Sequence, residues 1–169
     1  CILGTGSNCS YFDGHVLHQK VQSLGYIAMD DCSGNRFGRH LLRGYYFNKM
    51  PANLAKEFEK EFDVEPDAVK ENLYKKPNPN AYLATYAKFL IKHKNTEFCQ
   101  KYIREELVAF VENYIMQFEN YKEVPVHFVG SIAFYLEKEL RKVMKSLGLK
   151  TGKIVKKPID GLVKYHQFL

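Results

Sequence analysis

The stretch Ile2-Leu3-Gly4-Thr5-Gly6-Ser7-Asn8-Cys9 constrains the fold most. A short apolar run meets two glycines within three residues. Each glycine disfavours a helix by about 1 kcal/mol relative to alanine and lets the backbone turn sharply. The extended run "SNCSYF" follows, and Asp13-Gly14 separates it from "HVLHQK". Asp-Gly between two β-prone runs is a strong short-range hairpin signal, so the chain is expected to start as a β-hairpin turning at Asp13-Gly14.

The next stretch, "SLGYIAMDDCSGNRFG", reads as a loop that caps a helix. Ser33 suits the N-cap, and "NRFGRHLLRGYYFNK" carries the helix. From about Pro51 to Lys122 the pattern is helical, with Pro51 and Pro66 placed as helix starters. Between Thr96 and Phe118 the apolar positions Ile103, Leu107, Phe110, Val111, Tyr114, Ile115 and Phe118 share one helical face, which predicts a buried stripe. The last third alternates. "VPVHFVG" reads as a strand and "SIAFYLEKELRKVMKSLG" as a helix ended by Gly148, with Glu137 and Arg141 spaced as an i, i+4 ion pair. "GKIVKKP" reads as a strand and "IDGLVKYH" as a closing helix. This order predicts a single α/β unit over 1–169. Its α/β core lies at 1–38 and 123–169, and about 39–122 supply a helix plus a helical insertion.

Composition narrows the function classes. Of 169 residues 46% are apolar and 26% charged, enough for a true core. The net charge of +6 is spread among interleaved Lys, Arg and Glu, so a solvated surface is favoured over nucleic-acid binding, while a phosphate-bearing ligand remains compatible. Cys1, Cys9, Cys32 and Cys99 form no CxxC pair and no zinc spacing, which suits free thiols in a reducing, cytoplasmic setting. No apolar run approaches the roughly 18 residues of a membrane span.

Three motifs could carry chemistry. Gly4-Thr5-Gly6-Ser7 could present backbone N–H groups to phosphate oxygens, or could be only a tight turn. Gly130-Ser131 ends a strand and opens a helix, where a planar ring could lie on the backbone, although any strand-to-helix turn looks similar. Asp30 and Asp31 could accept hydrogen bonds from sugar hydroxyls, or could simply complement the following helix dipole.

Taken in order, "ILGTGSNC", the loop "GYIAMDDCSG", a long helical insertion and "VGSIA" resemble the BadF/BadG/BcrA/BcrD-type ATPase family. Within it they resemble the N-acetylglucosamine kinase branch of the sugar kinase, heat-shock chaperone and actin superfamily. The resemblance implies a ribonuclease-H-like, actin-like ATPase lobe with a β-hairpin start and mixed sheet. The chain would be the C-terminal lobe of a two-lobed protein. It further implies ATP and Mg²⁺ as cofactors. Gly4, Thr5 and Gly6 would face the ATP phosphates. Ser7, Asn8, Gly25 and Asp30 would meet the amino sugar, and Gly130, Ser131, Ile132 and Ala133 would lie by adenosine. The metal and base carboxylates would sit in the N-terminal lobe of the same protein, leaving no catalytic or metal residue in this chain. The isolated chain is then expected to be inactive.

One departure bears on the substrate. The family loop reads Gly-Asp-Glu-Gly-Ser-Gly, whereas here Met29-Asp30-Asp31-Cys32-Ser33-Gly34 replaces two glycines. Two other classes stay open: an ATPase activator of the 2-hydroxyacyl-CoA dehydratase or benzoyl-CoA reductase kind, and a sugar-binding protein that has lost catalysis. The aromatic-rich helical region also leaves a homodimer contact open.

Overall fold

The computed structural model describes residues 1–167, so the last two residues of the 1–169 unit lie outside it. The start of the chain makes two hairpins, not one. Strand β1 (Ile2–Leu3) reverses at Gly4–Gly6 and returns antiparallel as β2 (Ser7–Asn8), with Leu3 opposite Ser7 and Ile2 opposite Asn8. Strands β3 (Tyr11–Phe12) and β4 (Leu17–His18) form a separate two-stranded sheet around Asp13-Gly14. The Asp-Gly turn therefore lies where the sequence puts it, but the Gly-Thr-Gly turn has already reversed the chain once. The Asp13 carboxylate closes the second turn by accepting the His15 and Val16 N–H groups at 2.8 and 2.7 Å.

The main sheet has four strands in the order β2-β1-β5-β6. Strand β5 (Val126–Val129) runs parallel to β1, and β6 (Thr151–Val155) runs parallel to β5. The β5–β6 crossover is helical, as such parallel connections require. It holds two helices where the sequence suggests one. The chain breaks at buried Leu136 (φ −103°, ψ 20°) between a short helix at Ser131–Tyr135 and a longer one at Glu137–Ser146. Glu137 and Arg141 pair at 2.8 Å, and Gly148, at φ +75°, stops the helix. The closing helix spans Ile159–Gln167.

Between β4 and β5 lies the helical part. Helix α1 (Gly34–Tyr46) starts on Ser33, whose Oγ accepts the Arg36 N–H at 3.3 Å. Helices α2 (Ala52–Glu61), α3 (Pro66–Tyr74), α4 (Pro79–Thr85), α5 (Ala87–Lys92) and α6 (Glu97–Phe110) follow. Pro66 takes the first helical position, whereas Pro51 stands just outside its helix. The apolar stripe from Ile103 to Phe118 is buried throughout. Phe58, Phe62, Tyr86 and Phe89 pack ring on ring, so much of the aromatic content is core. Helices α1 and α4 touch backbone to backbone: a Cβ on Gly38 would lie 1.9 Å from the Leu83 carbonyl oxygen.

This helical part grips the loop that precedes α1. After α6 the chain continues as a π-helical turn, Val111–Ile115. The Tyr114 hydroxyl accepts the Asp30 N–H at 3.2 Å, and Asn113 Nδ2 donates to Asp31 at 2.8 Å. From α6, the buried Glu106 carboxylate accepts the Cys32 N–H at 3.0 Å, Arg36 Nε at 3.0 Å and the His40 ring nitrogen at 2.5 Å. Burial pushes the Glu106 carboxyl up, but the bonds from His40, Cys32 and Arg36 outweigh it and hold its pKa below the ordinary 4.5. A lowered folded-state pKa stabilises the fold fully at neutral pH, and that contribution is lost as pH falls from about 4.5 through the folded value. Removing one partner of a buried charged group costs about 3–5 kcal/mol. Glu106→Ala should therefore lose stability of that order in urea denaturation at pH 7. The gap to the unsubstituted protein should narrow as the pH is lowered below 4.5.

Candidate functional site

The site is built around the Gly4–Gly6 turn. Two carbonyls of the turn are tied to the start of α1. Gly4 O accepts the Gly34 N–H at 2.7 Å, and Thr5 O accepts both the Asn35 N–H at 3.1 Å and Asn35 Nδ2 at 2.8 Å. Below the turn lies the Asp30 carboxylate. Its Oδ1 accepts the Ser7 N–H at 3.2 Å and its Oδ2 accepts Asn35 Nδ2 at 2.9 Å. A Cβ on Gly6 would stand 2.8 Å from Asp30 Oδ2, so any larger residue there would have to displace that carboxylate.

This arrangement decides which donors remain for a ligand. The Gly4 N–H is engaged by Gly6 O at 3.0 Å, and the Ser7 N–H by Asp30. The Thr5 and Gly6 N–H groups have no acceptor among the described residues. Thr5 is exposed at the tip. Adjacent backbone donors without an acceptor are a feature suited to anion oxygens in general.

The turn opens onto a cleft of about 380 Å³. One wall is Gly4, Thr5 and Gly34. Ser131 and Ile132, at the end of β5, form the second, and Ala84, Ala87, Lys88 and Ile91 of α4 and α5 form the third. The two glycine motifs, far apart in sequence, thus face a single space. Parallel pairing of β1 with β5 brings them there, and it needs Gly130. That residue has φ +126°, and a Cβ on it would lie 2.2 Å from Leu3 O. Ile132 and Ala133 lie behind Ser131, and Ala133 is fully buried.

The residues proposed for the sugar are placed less uniformly. Ser7 and Asp30 are joined and buried, and Ser7 Oγ has no partner among the described residues. Asp30 is 7% exposed with both carboxylate oxygens bonded, so in this structure it holds the turn. Asn8 Oδ1 accepts the Cys9 N–H at 2.7 Å. Gly25 lies in the preceding loop at φ +80°. Among the described residues no hydrogen bond joins it to Ser7, Asn8 or Asp30. The altered loop resolves into two cases. Cys32 takes φ +57°, where a glycine would relax the backbone, while Met29 is outside the left-handed region. Burial, reinforced by the Glu106 and Asp31 charges, pushes the Cys32 thiol well up, so it stays protonated and unreactive at neutral pH.

Sequence reasoning missed Lys88, Asn35, Glu106 and Tyr114. Lys88 places a cation among the residues that line the cleft with Gly4 and Thr5. The cleft offers Mg²⁺ no ligand set. No carboxylate lines it, and among the described residues no cluster of three Asp, Glu, His or Cys could hold a metal.

No protein-family model and no curated protein matches the chain. Among solved structures it is similar to the putative N-acetylglucosamine kinase of Porphyromonas gingivalis, at a TM-score of 0.92 and 33% sequence identity over 98% of this chain. The chain covers 58% of the length of that protein. No helix among the described residues is long and apolar enough to cross a membrane. The fold is thereby fixed as an α/β lobe of the actin-like ATPase type, with its glycine turn and strand-to-helix turn lining one cleft.

Proposed function

We propose that this chain is the C-terminal lobe of an ATP-dependent sugar kinase that phosphorylates an amino sugar of the N-acetylglucosamine type. The convergence of Gly4-Thr5 and Ser131-Ile132 on one cleft carrying Lys88 is the observation that carries this reading. The kinase assignment of the similar structure supports it.

In this reading the Thr5 and Gly6 N–H groups donate to phosphoryl oxygens, and Lys88 balances their charge. The apolar side chains of Ile132, Ala84 and Ile91 exclude water beside the nucleotide. Ser7, Asn8, Gly25 and Asp30 lie on the side assigned to the sugar. Mg²⁺ would supply charge neutralisation to the phosphoryl oxygens. Its ligands, and the base that takes the proton from the sugar hydroxyl, belong to the N-terminal lobe in this account. The chain's own share is binding and orientation. The 169-residue chain alone should therefore phosphorylate no sugar.

A coupled ADP-release assay on the full-length protein tests the reading, with Mg-ATP and a panel of N-acetylglucosamine, N-acetylmannosamine, glucosamine and glucose. The expected result is ADP release that depends on an N-acetylated amino sugar. Release that ignores every sugar would identify an ATPase instead, and no release with retained sugar binding would identify a sensor. A charge-assisted hydrogen bond contributes about 1.5–3 kcal/mol. Lys88→Met should thus raise the KM for ATP by roughly tenfold or more while leaving the KM for sugar near its original value.

A further inference from the structure

Outside the cleft, two of the four cysteines stand together. Cys1 Sγ and Cys9 Sγ are 3.1 Å apart. Their closeness follows from strand register: with Ile2 opposite Asn8 and Leu3 opposite Ser7, the residue opposite Cys1 is Cys9. Directly opposed residues of an antiparallel pair have Cα atoms about 4.5–5.5 Å apart, inside the range of about 4.4–6.8 Å that a disulfide spans. The backbone of Cys1 is also fixed. Its backbone nitrogen donates to His127 O at 2.8 Å and its carbonyl accepts the Val129 N–H at 2.9 Å, so β5 holds it in place from the side away from β2. The two sulfurs need to approach by only about 1 Å to reach the bond length of about 2.05 Å.

The pair is reachable. It lines a cavity of about 460 Å³, walled by Tyr11, Phe12, Phe118 and Tyr121. Cys1 is partly exposed, whereas Cys32 and Cys99 are fully buried. Burial pushes the Cys9 thiol up, which makes the partly exposed Cys1 the first to react and Cys9 the resolving thiol.

We propose that Cys1 and Cys9 are a reversible dithiol–disulfide site that staples the two strands at the base of the Gly4–Gly6 turn. Glutathione disulfide serves as the oxidant. The Cys1 thiolate attacks one glutathione sulfur, the S–S bond breaks, and one glutathione leaves as thiolate. The Cys9 thiolate then attacks Cys1 Sγ of the mixed disulfide and releases the second glutathione. Two cysteine thiols are oxidised, one glutathione disulfide is reduced to two glutathiones, and the two protons lost from the cysteines end on the departing thiolates. The site does not depend on the kinase reading.

The test exposes the native full-length protein to glutathione disulfide, blocks free thiols after denaturation, and maps the peptides without reduction. The expected product is a Cys1–Cys9 linked species lighter by two hydrogens, reversed by dithiothreitol, with Cys32 and Cys99 still recovered as free thiols. The Cys9→Ser variant should lose the crosslink and instead retain glutathione on Cys1. A wild-type protein that keeps glutathione on Cys1 without forming the crosslink would overturn the proposal. So would one in which neither Cys1 nor Cys9 reacts while the fold is intact.

Discussion

The Asp30 carboxylate beneath Gly6 is the interaction on which the rest of the site depends. One oxygen takes the Ser7 N–H and the other takes the Asn35 side chain, which also reaches Thr5 O. A β-turn, a loop and the first turn of α1 are thereby fixed to one another. Each neutral bond of this kind contributes about 1 kcal/mol net, and bonds to a charged group contribute more. The geometric effect is larger than the energy alone suggests. Because the neighbouring donors are engaged, the Thr5 and Gly6 N–H groups are left together at the tip. Prepositioned donors of this sort bind an anion without reorganising as it arrives.

A second constraint supports the first. Asp30 and Cys32 are both left-handed, a conformation that costs an ordinary residue about 1–2 kcal/mol. Such strain persists only where the surroundings over-determine it. Here the helical insertion provides that surrounding, through Tyr114 on the Asp30 N–H and Glu106 on the Cys32 N–H. The π-helical turn at Val111–Ile115 changes the register of α6 just where Asn113 and Tyr114 meet the loop. The insertion is therefore part of the site's architecture as well as a cover for the sheet.

Local signals are legible in the sequence. Ser33 as a cap, the Asp13-Gly14 turn, the buried stripe from Ile103 to Phe118 and Gly148 as a stop all stand, because each depends on neighbours within a few residues. Long-range causes were not legible. Gly38 gives no local sign that α4 crosses it, and Lys88 looks like any exposed helical lysine until α5 is laid beside the glycine turn. Gly130 reads in the sequence as a place for a ring against the backbone, and its φ and the closeness of Leu3 O add a strand-packing requirement that the sequence does not display. The single expected hairpin became two because two-residue strands are too short for propensity to locate.

The most direct test of the central claim, that the latched turn presents the Thr5 and Gly6 amides to a nucleotide phosphate, is an amide chemical-shift titration of the full-length protein. ADP and adenosine would be added in parallel. The account predicts that ADP shifts the Thr5 and Gly6 resonances strongly and that adenosine, lacking phosphate, leaves them nearly unmoved while still shifting those around Ser131 and Ile132. ADP that binds without moving Thr5 and Gly6 would contradict it.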